Sequence, residues 1–362
     1  MCNMKKILIT SYNLDIGGIE TSLINLLKNF NYEKYDVTLI LEENSGIFLN
    51  EVPKDVNVVD YKLSHFKIKL LRKIKNRIKL ILWVLKNNNK YDFSICFATH
   101  SILGSYLARY GSRNNAIWVH GNYYEFFNRD KNKMMNFFKK VGFFDYKNYV
   151  FVSNENKNVL NKYVSIKGKQ YVINNIINGD EILKKCQEKI EYKKNKTLFI
   201  NVSRHDEKQK RLSRIIDASK KLIDNGYKFE VLMIGDGPDR CMYEDMVSKY
   251  NLDKYIKFLG KKFNPFPYYN IADAILLSSD NEGYPVVFNE ARVIGVPLIT
   301  TKVSDYQDIE KKYGIVVDKK HLYDGMKEFL ENGFDCKIKF NYNKYNEEII
   351  KNIEKIIDNV KD

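Results

Sequence analysis

The chain has 362 residues, 44% of them hydrophobic and 29% charged, with 60 Lys and Arg against 45 Asp and Glu and a formal net charge of +15. That length exceeds the range over which one hydrophobic core keeps growing, so two domains are expected, and the composition excludes a disordered chain or a bilayer-spanning bundle. So large an excess of cations calls for phosphate on a nucleotide, a nucleic acid or a lipid headgroup, and where the charge sits decides among them.

The opening Met1-Cys2-Asn3-Met4-Lys5-Lys6 passes directly into Ile7-Leu8-Ile9 without the apolar stretch and cleavage site of a signal peptide, so a cytoplasmic location is expected. Five cysteines, an odd number without CxxC pairing, indicate neither a disulfide framework nor a zinc site. Residues 6–11 read as a strand, Gly17-Gly18 as a turn, and Leu23, Leu26, Leu27 and Phe30 as the apolar face of a helix, before a second strand over 36–41.

From Lys62 to Lys90 stand ten basic residues (Lys62, Lys67, Lys69, Arg72, Lys73, Lys75, Arg77, Lys79, Lys86 and Lys90) and no acidic one. Within this segment Leu71, Ile74, Ile78, Leu82 and Leu85 repeat at helical spacing. Such a basic amphipathic helix is expected to lie on an anionic membrane; the other reading, an apolar stripe packed on a sheet with solvated lysines, is compatible with it because one helix can do both. A lysine-rich helix also suits nucleic acid, but no nucleic-acid-binding module accompanies it, and no nucleic-acid partner is expected.

Apolar runs at 93–98, 116–120, 149–153 and 171–175, separated by helical patterns, predict a parallel sheet with crossover helices. The same grammar restarts at 197–202 and continues through 229–234, 256–259, 274–277 and 297–300, which predicts a second doubly wound α/β domain. The polar stretch that ends near Lys196 reads as a hinge, with domains over 1–174 and 175–340. Ile349, Ile350, Ile353, Ile356, Ile357 and Val360 predict an amphipathic helix over 341–362 that needs a surface to pack on.

In open α/β sheets, ligands bind beyond the carboxyl ends of the strands, so glycines that follow strands are the first candidates. Gly17-Gly18 and Gly235-Asp236-Gly237-Pro238 are two such turns, and neither has the complete spacing of a dinucleotide fingerprint. The third is richer: Glu282-Gly283-Tyr284-Pro285 leads from a strand into Val286-Val287-Phe288-Asn289-Glu290-Ala291 and on to Gly295-Val296-Pro297. Free N–H groups at that helix start, around Gly283 to Val286, suit a phosphate.

This arrangement resembles the retaining glycosyltransferases of family 4, whose mark is two glutamates separated by seven residues with a following G-x-P. The resemblance implies the GT-B fold, two Rossmann-like domains facing across a cleft with a C-terminal helix crossing back to the first. It implies that Glu282 contacts the transferred sugar and Glu290 the nucleotide ribose. It assigns the donor diphosphate to Arg204 and a lysine after it, where Lys210 fits by position from the next helix and Lys208 remains a competitor. His120 ends a strand where relatives carry a histidine near the reacting sugar, and Gly17, Gly18, Gly235, Gly260, Lys261, Gly283, Tyr284, Pro285 and Val286 fall where the family meets its donor.

A guanidinium and an ammonium can stabilise the charge of the departing diphosphate where other enzymes use a metal, and no Asp-x-Asp motif is present. The expectation is therefore a retaining, metal-independent hexosyltransferase that needs no cofactor and uses a nucleotide-sugar, a UDP-sugar in particular. Its acceptor would be a lipid-linked glycan or polysaccharide at the inner face of the cell membrane, as in capsule synthesis. Two alternatives stay open: a sugar-nucleotide epimerase of the same fold, and a non-catalytic glycan-binding protein on the membrane.

Overall fold

The computed structural model describes residues 4–61, 69–336 and 338–358. Contacts divide the chain into two compact units, Met1–Ile176 with Tyr345–Asp362, and Ile177–Lys344.

The first unit runs β1 (Lys5–Ser11), α1 (Gly18–Lys28), β2 (Tyr35–Leu41), β3 (Asn57–Asp60), α2 (Lys69–Asn87), β4 (Phe93–Cys96), α3 (Ile102–Gly111), β5 (Asn115–Val119), α4 (Tyr123–Phe126), α5 (Lys131–Lys140), β6 (Asn148–Phe151), α6 (Asn154–Tyr163) and β7 (Lys169–Val172). The strands form one sheet in the order β3-β2-β1-β4-β5-β6-β7, and every neighbouring pair is parallel. Helices cover both faces of such a sheet, which is why Ile7, Leu8 and Ile9 are fully buried in succession instead of alternating with polar residues. Side-chain caps start four of the helices: Ser101, Asn122, Asp130 and Ser153 accept from the backbone N–H groups of Gly104, Glu125, Lys133 and Asn156. Strand β3 was not anticipated because it is a four-residue edge strand with Asn57, Val58 and Asp60 exposed, so neither alternation nor an apolar run marks it.

The second of the two readings of the basic segment is not borne out. Of the apolar stripe in the basic segment, Leu71, Ile74, Ile78, Leu82 and Leu85 are 49 to 76% exposed, and it is the opposite side of α2, with Leu80 and Trp83, that packs on Leu8, Ile40, Leu103 and Leu107. The stripe does not face the sheet. Lys62 and Lys67 of the segment lie outside the described residues.

The second unit runs α7 (Gly179–Lys185), β8 (Thr197–Val202), α8 (Ser213–Asp224), β9 (Phe229–Ile234), α9 (Arg240–Lys249), β10 (Ile256–Gly260), α10 (Phe266–Ile271), β11 (Ala274–Leu277), α11 (Val286–Ile294), β12 (Leu298–Thr301), β13 (Gly314–Val317) and α12 (Leu322–Asn332). Its sheet has the order β10-β9-β8-β11-β12-β13, again parallel throughout. Phe199, Ile215, Leu222, Phe229, Met233 and Met326 form its core at 0% exposure. The stretch that read as a polar hinge contains helix α7, held by the Lys185–Glu181 pair at 2.6 Å one turn apart.

Helix α13 (Tyr342–Asp358) ends on the first unit, burying Ile349, Ile353, Ile356 and Ile357. Asp358 accepts from Lys5 Nζ at 2.8 Å and from Tyr35 OH at 3.2 Å. The isoleucines supply most of that adhesion, because ion pairs as exposed as Lys5–Asp358 contribute little.

Candidate active site

In the second sheet, successive strands run outward from β8 in one direction and from β11 in the other, so the topological switch point lies between these two. Loops leaving adjacent strands at such a point diverge and leave a crevice beyond the carboxyl ends. Here the loops after β8 and β11 are laced together. Asp280 N–H donates to the Gln209 carbonyl at 2.8 Å, and Ser278 Oγ donates to the Lys210 carbonyl at 2.8 Å. Arg211 Nε and Arg214 Nη2 bind the two oxygens of Asp280 at 2.7 and 2.6 Å. Burial pushes the Asp280 carboxyl up, but the two guanidinium bonds outweigh it and hold the group below the usual range.

Glu282 sits at the centre of this lacing, only 8% exposed. Its Oε1 accepts from Lys210 Nζ at 2.6 Å and from Ser279 Oγ at 2.6 Å, and its Oε2 from Gln209 Nε2 at 3.4 Å. A carboxylate so withdrawn from water is tolerated because a cation and hydroxyl replace its solvation. The Lys210 side chain keeps 20% exposure, whereas Lys208 is exposed on the loop. Arg204, on the same loop, is 65% exposed and ion-paired with Asp206. Ser279 and Gln209 escaped the sequence reading. The S-x-x-E spacing of Ser279 and Glu282 was a usable signal, whereas nothing in the sequence ties Gln209 to residue 282.

The turn after β9 is more than a turn. A Cβ at Gly235, whose φ is +135°, would lie 1.9 Å from the Ser203 carbonyl oxygen, and one at Gly237 would lie 2.3 Å from that of His205. Only glycine lets this turn press on the arginine loop, where His205 N–H donates to the Asp236 carbonyl at 3.0 Å and Asp239 N–H donates back to the His205 carbonyl at 3.1 Å. The His205 ring is fully buried edge-on to Tyr243 and Phe258, and among the described residues neither ring nitrogen has a hydrogen-bond partner. Burial holds its pKa below the ordinary value; Arg240 adds to the shift, and Asp236 and Glu244 oppose it. Gly260, in the left-handed region at φ +67°, accepts from Gly235 N–H at 3.0 Å, and Lys261 after it is exposed.

Gly283, Tyr284 and Pro285 carry the chain from β11 into α11, which starts at Val286 without a side-chain cap. The Gly283 carbonyl is held by Ser304 Oγ at 2.5 Å. The Tyr284 side chain is buried and donates to Asp308 at 3.1 Å, so it anchors the helix entrance from beneath. Glu290, about one turn into α11, is half-buried and accepts from Tyr269 OH at 2.7 Å. Burial raises its pKa, and the Tyr269 bond pulls the other way. Tyr269 stands on α10, twenty-one residues away, and no pattern in the sequence marked it.

Gly17, Gly18 and His120 belong to the first unit. Gly17 starts α1 in an extended conformation, and a Cβ there would meet Glu20 Oε2 at 2.2 Å. The His120 ring leans on Phe97, 4.7 Å between centroids, and its buried Nε2 has no partner. Burial pushes its pKa down to about 3, with His100 adding to the shift and the Phe97 backbone opposing it, so the ring is neutral at physiological pH.

Two successive parallel, doubly wound units, the second with a charged site at its switch point, define the GT-B class. Solved GT-B structures match along nearly the whole chain. Anabaena HepE in complex with UDP and glucose aligns over 97% of this chain and 99% of its own, with a TM-score of 0.74 and 15% identity. Staphylococcus aureus TarM aligns over 98% of this chain and 100% of its own, with a TM-score of 0.74 and 12% identity. At these identities the likeness is one of fold.

Residues 16–181 match the model of Glycosyltransferase Family 4, and residues 184–356 that of Glycosyl transferases group 1. The chain belongs to this glycosyltransferase family. Among curated relatives, the amylovoran biosynthesis glycosyltransferase AmsD of Erwinia amylovora is 27% identical over 47% of each chain. The N-acetyl-alpha-D-glucosaminyl L-malate synthase of Bacillus anthracis is 30% identical over 28% of this chain and 26% of its own. The chain spans about half the length, or less, of the curated relatives it matches.

Proposed function

We propose that the protein transfers a sugar, with retention of anomeric configuration and without a metal, from a UDP-sugar to a lipid-linked or polymeric glycan acceptor, working at the cytoplasmic face of an anionic membrane. The observation that carries this reading is the Glu282 carboxylate fixed by Lys210 and Ser279 at the switch point of the second sheet, with Arg204 exposed on the same loop. The UDP and glucose held by the HepE structure and the amylovoran biosynthesis named for AmsD support it.

Each side chain then has a task suited to its chemistry. Arg204 presents a fork that matches two phosphate oxygens, and the three N–H donors of Lys210 are enough to serve Glu282 and a phosphate together. Both oppose the charge that develops on the diphosphate as its bond to the sugar breaks. Glu282 accepts from hydroxyls of the transferred sugar. Glu290, pinned by Tyr269, accepts from the ribose. The acceptor oxygen attacks the anomeric carbon on the face the phosphate leaves, and the departing phosphate oxygen takes the acceptor proton.

Arg204→Ala and Glu282→Gln test these roles in an assay of UDP release with a screened acceptor. Each is expected to lower kcat by about 10²- to 10³-fold with thermal stability retained, the usual cost of deleting one preorganised electrostatic partner. Near wild-type turnover would overturn the assignment, and epimer formation from the UDP-sugar without acceptor would replace it with an epimerase.

A further inference from the structure

Helix α2 presents its apolar side to water. Leu70, Leu71, Ile74, Ile78, Ile81, Leu82 and Leu85 are 48 to 76% exposed, and at 100° per residue they fall on the side opposite Leu80 and Trp83, which hold the helix to the sheet. Exposed Arg77 flanks the stripe on one side, and exposed Lys75 and Lys86 flank it on the other. Isolated exposed leucines are ordinary, but a contiguous stripe about 22 Å long at 1.5 Å per residue marks a surface that something covers.

The neighbouring helices supply the chemistry of the occupant. Helices α2, α3 and α5 cover the same face of the first sheet, through Leu80 and Trp83, Leu107 and Ala108, and Met134 and Phe138 respectively. The sequence of α2 contains seven Lys or Arg, that of α3 one and that of α5 four, and the three helices contain no Asp or Glu. Lys131, Lys133, Lys139 and Lys140 of α5 are exposed, and Tyr110 of α3 and Phe144, just after α5, are 39 and 38% exposed. Arg109 is bound by Asp145 and Lys133 by Asp130, and exposed Arg77 and Lys86 of α2 with exposed Lys139 and Lys140 at the end of α5 add positive charge to this face.

We propose that this three-helix face docks flat on an anionic bilayer, with the α2 stripe inserted at the level of the acyl chains and the flanking cations on lipid phosphates. The proposal rests on the membrane placement given above, and adds which face is down and that apolar insertion is part of the bond. An apolar ridge between rows of cations is the pattern of helices that lie in the plane of the interface, with aromatic rings at headgroup level. A second copy of this chain is a poor occupant, because an isologous contact would set cation against cation. Nucleic acid would leave seven large apolar side chains against phosphate and water. No described helix is long and apolar enough to cross a membrane.

Vesicle flotation of the full-length protein tests this. Binding is expected to vesicles of phosphatidylglycerol and phosphatidylcholine, and to be at least tenfold weaker to phosphatidylcholine alone. The triple variant Ile74→Ser/Ile78→Ser/Leu82→Ser is expected to lose at least tenfold in affinity at every salt concentration. Arg77→Gln/Lys86→Gln/Lys139→Gln/Lys140→Gln is expected to lose about fivefold per cation at low salt and little at high salt. All seven side chains are exposed, so thermal unfolding should be unchanged, and UDP binding, read separately, should be spared. Flotation insensitive to the serine triple, or a solution dimer that the triple dissolves, would overturn the inference. Vesicle binding without UDP binding would instead sink the enzymatic reading and leave this one standing.

Discussion

His205 is a titratable ring buried edge-on to Tyr243 and Phe258, with no hydrogen-bond partner for either nitrogen among the described residues. Burial, reinforced by Arg240 and opposed by Asp236 and Glu244, places its folded pKa below the ordinary 6.5. The unfolded chain therefore takes up the proton more readily. The contribution of the neutral ring to stability is complete above about 6.5 and is lost as pH falls toward the folded value. His120, pushed down to about 3, acts in the same sense. Urea midpoints are expected to be level from pH 7 to 8 and to fall below 6.5. His205→Phe, which keeps a ring and removes both nitrogens, should flatten part of that fall; an unchanged slope would show that His205 takes no part in it. The same scale shows where sequence reading stops. Position along the chain favours Lys210 over Lys208 without excluding the latter, and the crossing of the β8 and β11 loops is what puts Lys210 on Glu282.

Among elements, the glycine turn after β9 has the clearest consequence. Gly235→Ala would force a side chain onto the Ser203 carbonyl at a φ of +135°, and both effects disfavour alanine. A loss of about 2 to 4 kcal/mol is expected in denaturant titration, together with weaker UDP binding because the arginine loop loses its backing. A stability within about 0.5 kcal/mol of the parent would mean that the turn is free to move. The buried parallel strands were legible because each is an apolar run bounded by polar residues, from Ile7-Leu8-Ile9 to Ala274-Ile275-Leu276-Leu277. Strands β3 and β13 were not, because they are edge strands whose residues are only partly buried, so that β3 forms no polar-bounded apolar run and that of β13 is cut to Ile315-Val316-Val317. Helix α7 was not, because seven residues span too few turns for a period to show. Helix α2 was legible as amphipathic, but not in its facing.

At the scale of the whole chain, the C-terminal helix ties the last residues to the first strands. Truncation after Lys344 removes Ile349, Ile353, Ile356 and Ile357 from the first unit and the partners of Lys5, Lys34 and Tyr35. The expected result is a lower unfolding temperature for the first unit, with UDP affinity of the second retained; equal loss in both would contradict their separate cores. By itself the sequence determined two rounds of strand and helix, the glycines at their turns and the spaced pair Glu282 and Glu290, because each is a local pattern read along one segment. Tertiary structure alone decided that Lys210 and Ser279 hold Glu282, that Tyr269 pins Glu290 and that the stripe of α2 faces outward. Those contacts join residues or surfaces on different segments, and periodicity shows that a helix has an apolar side without showing what lies against it.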